Sequence, residues 1–312
     1  MNLTAVLDLL RERTGIDPDT LGAGAVPAAV RARLHRIGER DAAAYACRLR
    51  ADAAEFARLV DEVVVPETWF FRGGDLFWHL ADHVRAAAAP VRVLSLPCST
   101  GEEPYSLAIA LTERGVPPAR WSIEAVDLSG RHVEQARRGV YRAFSFRQLP
   151  TSLRDRYFSP AGDDWQLSPA IRTAVQFRVG NILEPALLGV VGPFDLVFCR
   201  NLFIYLGRDA RRRAVDTVAG LVRDGGLLCL GHADPLDPAD GRFAPTGPPA
   251  YFPTGGRGQS PRRHRHHRPC GWRRRPALPR RRRHPRSRRR SLCRSTWRGR
   301  GGWPTPGVTT RR

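Results

Sequence analysis

Apolar positions recur at helical spacing through the first sixty residues. Leu3, Val6, Leu7 and Leu10 form one stripe, and Val30, Leu34 and Ile37 form another after Pro27. From Ala42 to Val63 the same period turns Tyr45, Leu49, Phe56, Leu59 and Val63 inward, and the step Val63-Val64-Val65-Pro66 reads as the exit from a small helical domain, residues 1–64. At Val91 the pattern changes to short apolar runs alternating with helical stretches, which predicts a parallel α/β sheet. VRVLSLPC, WSIEAVDLS, VQFRVGN, FDLVFCRN and LLCLGHA are the predicted strands; EPYSLAIALTERG, GRHVEQARRG and DARRRAVDTVAGLV are predicted helices. The fold class is therefore α/β: a small N-terminal helical domain followed by a doubly wound, nucleotide-binding sheet over residues 65–254.

The end of that sheet is the weak point of the pattern. PLDPADGRFAPTGPPAYFPTGG carries six prolines that would interrupt a central strand, so Phe243, Tyr251 and Phe252 are expected to supply at most one short edge strand. An incomplete sheet would expose an edge and lower solubility. Past Gly255 no apolar period survives, and residues 255–312 are predicted to be a disordered Arg-rich tail.

Charge sharpens this division. The net charge is +21 over 312 residues, yet residues 255–312 hold 21 Arg and no acid, while residues 1–254 balance 30 Arg against 30 acidic residues. Lysine is absent. The tail would hold nucleic acid only non-specifically, through phosphate contacts. Its runs, such as RRRRHPRSRRR, read as a shifted GC-rich coding frame, with an evolved basic arm as the alternative. The start MNLTAVLDLLRERTG carries Asp8 and Glu12 with apolar positions at helical spacing, which does not fit the basic start of a secretory signal. No apolar run approaches the ~18–20 residues of a transmembrane helix, so a cytoplasmic protein without membrane insertion is expected; a monomer is expected as well. The six cysteines show no zinc-ligand spacing, and Cys98, Cys199 and Cys229 sit in apolar runs as core residues.

Chemistry concentrates after the predicted strands. Ser99-Thr100-Gly101 makes a tight bend at a helix start, and Gly101 lets backbone approach a ligand. Glu102 and Glu103 are poor company for a pyrophosphate; the sulfonium and amino group of S-adenosylmethionine suit them better, although the same pair also serves as ordinary first-turn acids. Asp127 ends the second strand, where a carboxylate accepts hydrogen bonds from ribose hydroxyls or caps the next helix. Asn181 follows the third strand, near where an adenine would lie, and Arg200, Asn201 and Tyr205 follow the fourth.

Together ETWFFR (67–72), STGEEPYS (99–106), Asp127, ARRGVY (136–141), Arg156-Tyr157-Phe158, GN (180–181), FDLVFCRNLFIYL (194–206) and GGLLCLGHAD (225–234) resemble the CheR family of receptor glutamate methyltransferases over residues 1 to about 235. PETWFFR and LSLPCSTGEEPYS look most like the branch attached to Wsp-type chemosensory systems, which control biofilm formation. The resemblance implies an S-adenosylmethionine site made by Thr68, Arg72, Gly101, Glu102, Asp127, Asn181 with Ile182, and Asn201 with Leu202. Arg72 would meet the methionine carboxylate and Tyr205 would face the acceptor, and these two are the catalytic candidates. Two departures stand out: Pro66 replaces a frequent asparagine, and the tetratricopeptide repeats usual in the Wsp-like branch are replaced by arginine-rich text.

The implied acceptor is a glutamate on the helical cytoplasmic domain of a methyl-accepting receptor. Arg11, Arg13, Arg31, Arg33, Arg36, Arg40, Arg48 and Arg50 would dock on its acidic surface, or else form a solvated helix face. The alternatives are a nucleic-acid methyltransferase using the tail, against which the neutral catalytic half speaks, and a non-catalytic adaptor that binds the cofactor. Deleting residues 255–312 is expected to leave cofactor affinity unchanged in calorimetry and to abolish most non-specific DNA binding in a gel shift. Loss of cofactor binding by the folded, truncated protein would overturn the assigned boundary.

Overall fold

Local capping chemistry sets the first helices. The computed structural model describes residues 2–22, 24–184, 192–234, 236, 241–247 and 250–253; the predicted disorder of 255–312, with Cys270 and Cys293, lies outside the described residues. Helix α1 (Thr4–Thr14) ends at Gly15, whose left-handed backbone (φ 72°) lets its N–H bond the Arg11 carbonyl. Helix α2 (Ala25–Ile37) ends in the same way at Gly38. The continuous helical pattern of 42–63 is in fact two helices, α3 (Ala42–Ala51) and α4 (Ala53–Val63). Asp52 breaks the run because its extended backbone and its carboxylate, which accepts from the Glu55 N–H, make it an N-cap.

The inward stripes of these helices meet in one core that includes Val6, Leu10, Val30, Leu34, Tyr45, Leu49, Leu59 and Val63. Within the same bundle Glu55 is fully buried, accepting from Arg33 at 2.9 and 2.7 Å and from the Tyr45 hydroxyl at 3.0 Å. Arg33 therefore does not belong to an exposed docking face. Arg13 is spent on the Leu49 and Arg50 carbonyls, while Arg11, Arg36 and Arg48 pair with acids. Helical period alone does not separate a buried paired arginine from a solvated one, because its long stem packs as apolar surface.

Helix α5 (Leu76–Ala86) leads into the sheet region. There follow β1 (Val91–Ser95), α6 (Glu102–Glu113), β2 (Trp121–Asp127), α7 (Gly130–Arg138), β3 (Val140–Tyr141), α8 (Thr151–Tyr157), β4 (Phe158–Ala161), β5 (Asp164–Leu167), α9 (Pro169–Arg172) and β6 (Val175–Val179). Then come β7 (Phe194–Cys199), α10 (Arg208–Leu221), β8 (Val222–Leu230), β9 (Phe243–Gly247) and β10 (Ala250–Pro253). The main sheet runs β6-β2-β1-β7-β8-β10-β9, parallel through β8 and antiparallel thereafter. Val93, Ile123, Leu196, Phe198 and Cys229 point into the core shared with α5 and α6, and Leu94, Val126, Val197 and Leu228 into the core shared with α10. This period-two alternation is that of strands buried on both faces.

Two findings revise the sequence reading. The proline-rich segment supplies two strands and not one: β9 and β10 add an antiparallel hairpin to the sheet beyond β8, so the premise of a sheet cut short after β8 is not met. Pro245 is tolerated because β9 is the outermost strand, and Pro253 because it ends β10. The stretch 141–173, to which the sequence pattern assigns no element and which reads as an insertion, builds together with Val140 a second sheet of order β3-β5-β4. Phe70, from the ETWFFR segment, anchors it, its ring 4.8 Å from Tyr141 and 4.9 Å from Phe158 between centroids.

Glu55→Ala would leave the Arg33 guanidinium buried without its carboxylate. It is expected to lower stability by about 3–5 kcal/mol, measured as a shifted denaturant midpoint. An unchanged midpoint would mean that Arg33 reaches solvent.

Candidate functional site

The loops after β1, β2, β6 and β7 converge at the carboxyl edge of the sheet, the usual ligand side of such folds. They enclose a pocket of about 1130 Å³, its open mouth included. Thr68, Arg72, Asp127, Asn181, Ile182, Asn201, Leu202 and Tyr205 all line it, so most of the residues singled out in the sequence are brought together. Gly101 and Glu102 do not line it; Glu103 does.

The first loop explains why. Gly101 takes φ 96°, and a Cβ there would lie 2.9 Å from the Ala136 Cβ and 3.0 Å from the Tyr141 hydroxyl, so the glycine admits α7 rather than a ligand. Glu102, the first residue of α6, turns inward. It is buried, accepts from the Thr100 hydroxyl at 2.6 Å and from the Ser145 hydroxyl at 2.9 Å, and ties the insertion to this bend. Burial pushes its carboxyl above the usual carboxylate range. One residue on, and about 100° around the helix, Glu103 faces the pocket, accepting from Ser95 Oγ at 2.9 Å and from Arg200 Nη1 at 2.8 Å.

Asp127 serves its loop as well as the cavity. Its two carboxylate oxygens accept from the Ser99 N–H at 2.8 Å and the Ser129 N–H at 2.9 Å, while Ser129 caps α7. The cap alternative for Asp127 is thereby filled by another residue. Asn181 is partly committed: its amide donates to the Arg13 carbonyl at 2.7 Å and its oxygen accepts from the Leu183 N–H at 3.0 Å. One N–H and one lone pair remain for a ligand.

The loop after β7 depends on a residue whose role the sequence did not disclose. Asp234 accepts from the backbone N–H groups of Asn201, Gly231 and Phe203, and burial raises its carboxyl pKa. This holds Asn201 at φ 58° and sets Leu202 and Tyr205 on the wall. The motif GGLLCLGHAD contained the signal, an acid three residues beyond a glycine at a strand end, without saying which loop it would serve. Thr14, Ile16 and Leu21 close the pocket from the N-terminal region, joined to it by the Ile16–Leu206 bridge and by the Asp17 N–H donating to the Tyr205 carbonyl at 2.8 Å.

Cys98, Cys199 and Cys229 are buried and burial pushes their thiols up, Cys229 to about 12, as fits core residues. His132 also lines the pocket, its buried ring nitrogens making no hydrogen bond among the described residues although Nδ1 lies 3.5 Å from the Asp127 carboxylate, and Arg200 Nε is likewise buried without a hydrogen bond. Such groups mark a site that awaits polar partners.

Carboxylates at Glu103 and Asp127, a guanidinium at Arg72, an amide at Asn181 and apolar walls at Ile16, Leu96 and Leu206 make this an α/β protein with a pocket for a nucleoside-linked, cationic amino acid. The donor set fits S-adenosylmethionine: acids for its positive groups and ribose hydroxyls, an arginine for its carboxylate. The chain belongs to the CheR methyltransferase family, whose S-adenosylmethionine-binding domain matches residues 66–252. It is 38% identical to a probable biofilm formation methyltransferase WspC of Pseudomonas aeruginosa, over 78% of this chain and 59% of that protein. To the protein of the same description in Pseudomonas putida it is 41% identical, over 75% and 57%. A chemotaxis protein methyltransferase of Salmonella typhimurium is 34% identical over 65% and 72%. The chain thus spans under two thirds of the length of the two biofilm relatives.

The placement of the two glutamates is directly testable. Glu103→Gln is expected to weaken S-adenosylmethionine binding by roughly 1–3 kcal/mol in calorimetry, the cost of losing a charged partner. Glu102→Gln is expected to leave affinity within a factor of about two while lowering thermal stability. The reverse pattern would put Glu102 in the pocket.

Proposed function

We propose that this protein transfers a methyl group from S-adenosylmethionine to glutamate side chains of a methyl-accepting chemosensory receptor, giving methyl esters, and that it works in the cytoplasm as a monomer. The observation that carries the reading is a single pocket lined by Thr68, Arg72, Glu103, Asp127, Asn201 and Tyr205 in a chain of the CheR family. The relatives' descriptions, a biofilm formation methyltransferase and chemotaxis methyltransferases, support a receptor of that kind as the partner.

When bound, S-adenosylmethionine supplies a sulfonium methyl group whose transfer to a carboxylate oxygen breaks the carbon–sulfur bond and releases no proton. A glutamate with a pKa of about 4.3 is already ionised at neutral pH, so no general base is needed. The chain's own work is positioning and desolvation. Asp127 and Glu103 hold the hydroxyl and cationic groups of the cofactor, Arg72 its carboxylate, and Ile182 and Leu202 supply apolar wall. Arg72 is fixed by donating to the Glu67 carbonyl and by stacking 4.5 Å over the Trp69 ring. Tyr205 offers the acceptor a hydroxyl from a loop already fastened at both ends.

Purified protein incubated with methyl-labelled S-adenosylmethionine and the helical cytoplasmic domain of a methyl-accepting receptor is expected to yield base-labile label on that domain. A folded sample that binds the cofactor but deposits no such label would leave the adaptor reading in its place.

A further inference from the structure

Beside the pocket mouth lies a cation-aromatic cluster that the functions above do not use. The Arg147 guanidinium sits between two rings, its carbon 3.4 Å from the Trp69 centroid and 3.7 Å from the Phe144 centroid. Phe144 is 65% exposed and presents apolar surface beside the mouth. Arg72 stacks on the same indole at 4.5 Å, so the two guanidiniums are no more than about 8 Å apart. Arg147 Nη1 donates to the Phe144 carbonyl at 3.0 Å and Arg72 Nη1 to the Glu67 carbonyl; neither forms an ion pair among the described residues. The acids whose field reaches Arg147 are Glu67 and Glu102, the latter already bonded to Thr100 and Ser145. Desolvation against the rings, followed by the like charge of Arg72, lowers the Arg147 pKa.

Two unpaired cations on one aromatic platform call for two anions. Arg72 lines the cofactor pocket and has the cofactor's carboxylate for its partner under the reading above. Arg147 does not line that pocket and stands just outside it, next to Phe144 and Ser145 on the wall of the neighbouring groove. A guanidinium bound to the reacting carboxylate would drain charge from the oxygen that must attack. One displaced from the reaction centre suits a second carboxylate on the same acceptor.

We propose that Arg147, held flat between Trp69 and Phe144, is a specificity-determining residue that binds a carboxylate flanking the methylated glutamate, so that the protein selects acceptor sites set in acidic helical sequence. The inference rests on the glutamate-methylation reading. Sandwiching fixes the plane of the guanidinium, so that its outward N–H groups point at the acceptor at little entropic cost, and Phe144 offers apolar cover to the acceptor's backbone.

The test uses the full chain, labelled S-adenosylmethionine at saturation and the helical cytoplasmic receptor domain as acceptor. Arg147→Gln is expected to raise KM for the acceptor about tenfold or more. It should change kcat by less than about threefold and leave the affinity for S-adenosylhomocysteine and the thermal midpoint unchanged. Arg147→Lys, which keeps the charge but loses the stacked plane, should fall between. Replacing the acids that flank the acceptor glutamate by glutamine should raise the wild-type KM and leave that of Arg147→Gln unmoved. An unchanged KM in Arg147→Gln overturns the proposal while the methylation reading stands. A joint fall in cofactor affinity and thermal midpoint also overturns it, as a merely structural role would. Absence of label with wild-type protein defeats the methylation reading itself, and this inference with it.

Discussion

Two turns at the carboxyl edge of the sheet adopt left-handed backbone at residues that are not glycine, Ser99 at φ 49° and Asn201 at φ 58°. That conformation costs roughly 1–2 kcal/mol for an L-residue, and each turn is held by a carboxylate arriving from another part of the chain. Asp127 receives the Ser99 N–H from the end of β2, and Asp234 receives the Asn201 and Phe203 N–H groups from beyond β8. Hydrogen bonds to a charged acceptor contribute about 1.5–3 kcal/mol each, enough to offset the strain. The remaining site geometry follows. With these turns fixed, Glu103, Asp127, Leu202 and Tyr205 face one cavity, and without them the loops after β1 and β7 would relax to ordinary bends.

The acids near the cavity divide the work by environment. Glu102 and Asp234 are buried, saturated with internal donors and raised in pKa, so they act as fasteners. Glu103 and Asp127 also accept internal hydrogen bonds but keep a face on the cavity, so they are already oriented for a ligand. Orientation in advance is what a methyl transfer without proton chemistry requires, since its barrier is lowered mainly by alignment and by removal of water.

Much of this was legible in the sequence, because strands buried on both faces leave continuous apolar runs and helices leave a 3.6-residue period. The five parallel strands, α6, α7 and α10 follow from that patterning; Asp127, Asn181, Asn201 and Tyr205 follow from the rule that ligands gather at strand ends, and Thr68, Arg72, Ile182 and Leu202 from the family resemblance. What was not legible has physical causes. Adjacent glutamates at a helix start are interchangeable in text, yet helical rotation sends Glu102 to the interior and Glu103 to the cavity. Proline counting misjudged β9, because the tolerance of an edge strand is a property of sheet order and not of the strand's own residues. The second sheet is built from two- and four-residue strands, too short to show a period. Arg33 and Arg147 look like surface charges in a linear reading, but one is buried against Glu55 and the other lies between two rings.

The N-terminal helices are part of the site and not only a neighbour of it. The match to the S-adenosylmethionine-binding domain covers residues 66–252, yet Thr14, Ile16, Leu21, Val64 and Val65 supply one side of the pocket. The links are local and specific: Asn181 to the Arg13 carbonyl, Gly207 to the Gly15 carbonyl at 3.1 Å, and Asp17 to the Tyr205 carbonyl. A Cβ at Gly15 would lie 2.6 Å from Leu183 Cδ1 and 2.7 Å from the Ala210 Cβ, so the chain passes this point only as glycine. Tyr205 therefore takes its position from both halves of the molecule. Two of these three links are main-chain hydrogen bonds, so the tyrosine loop is tied to the N-terminal region by backbone as well as by the Asn181 amide.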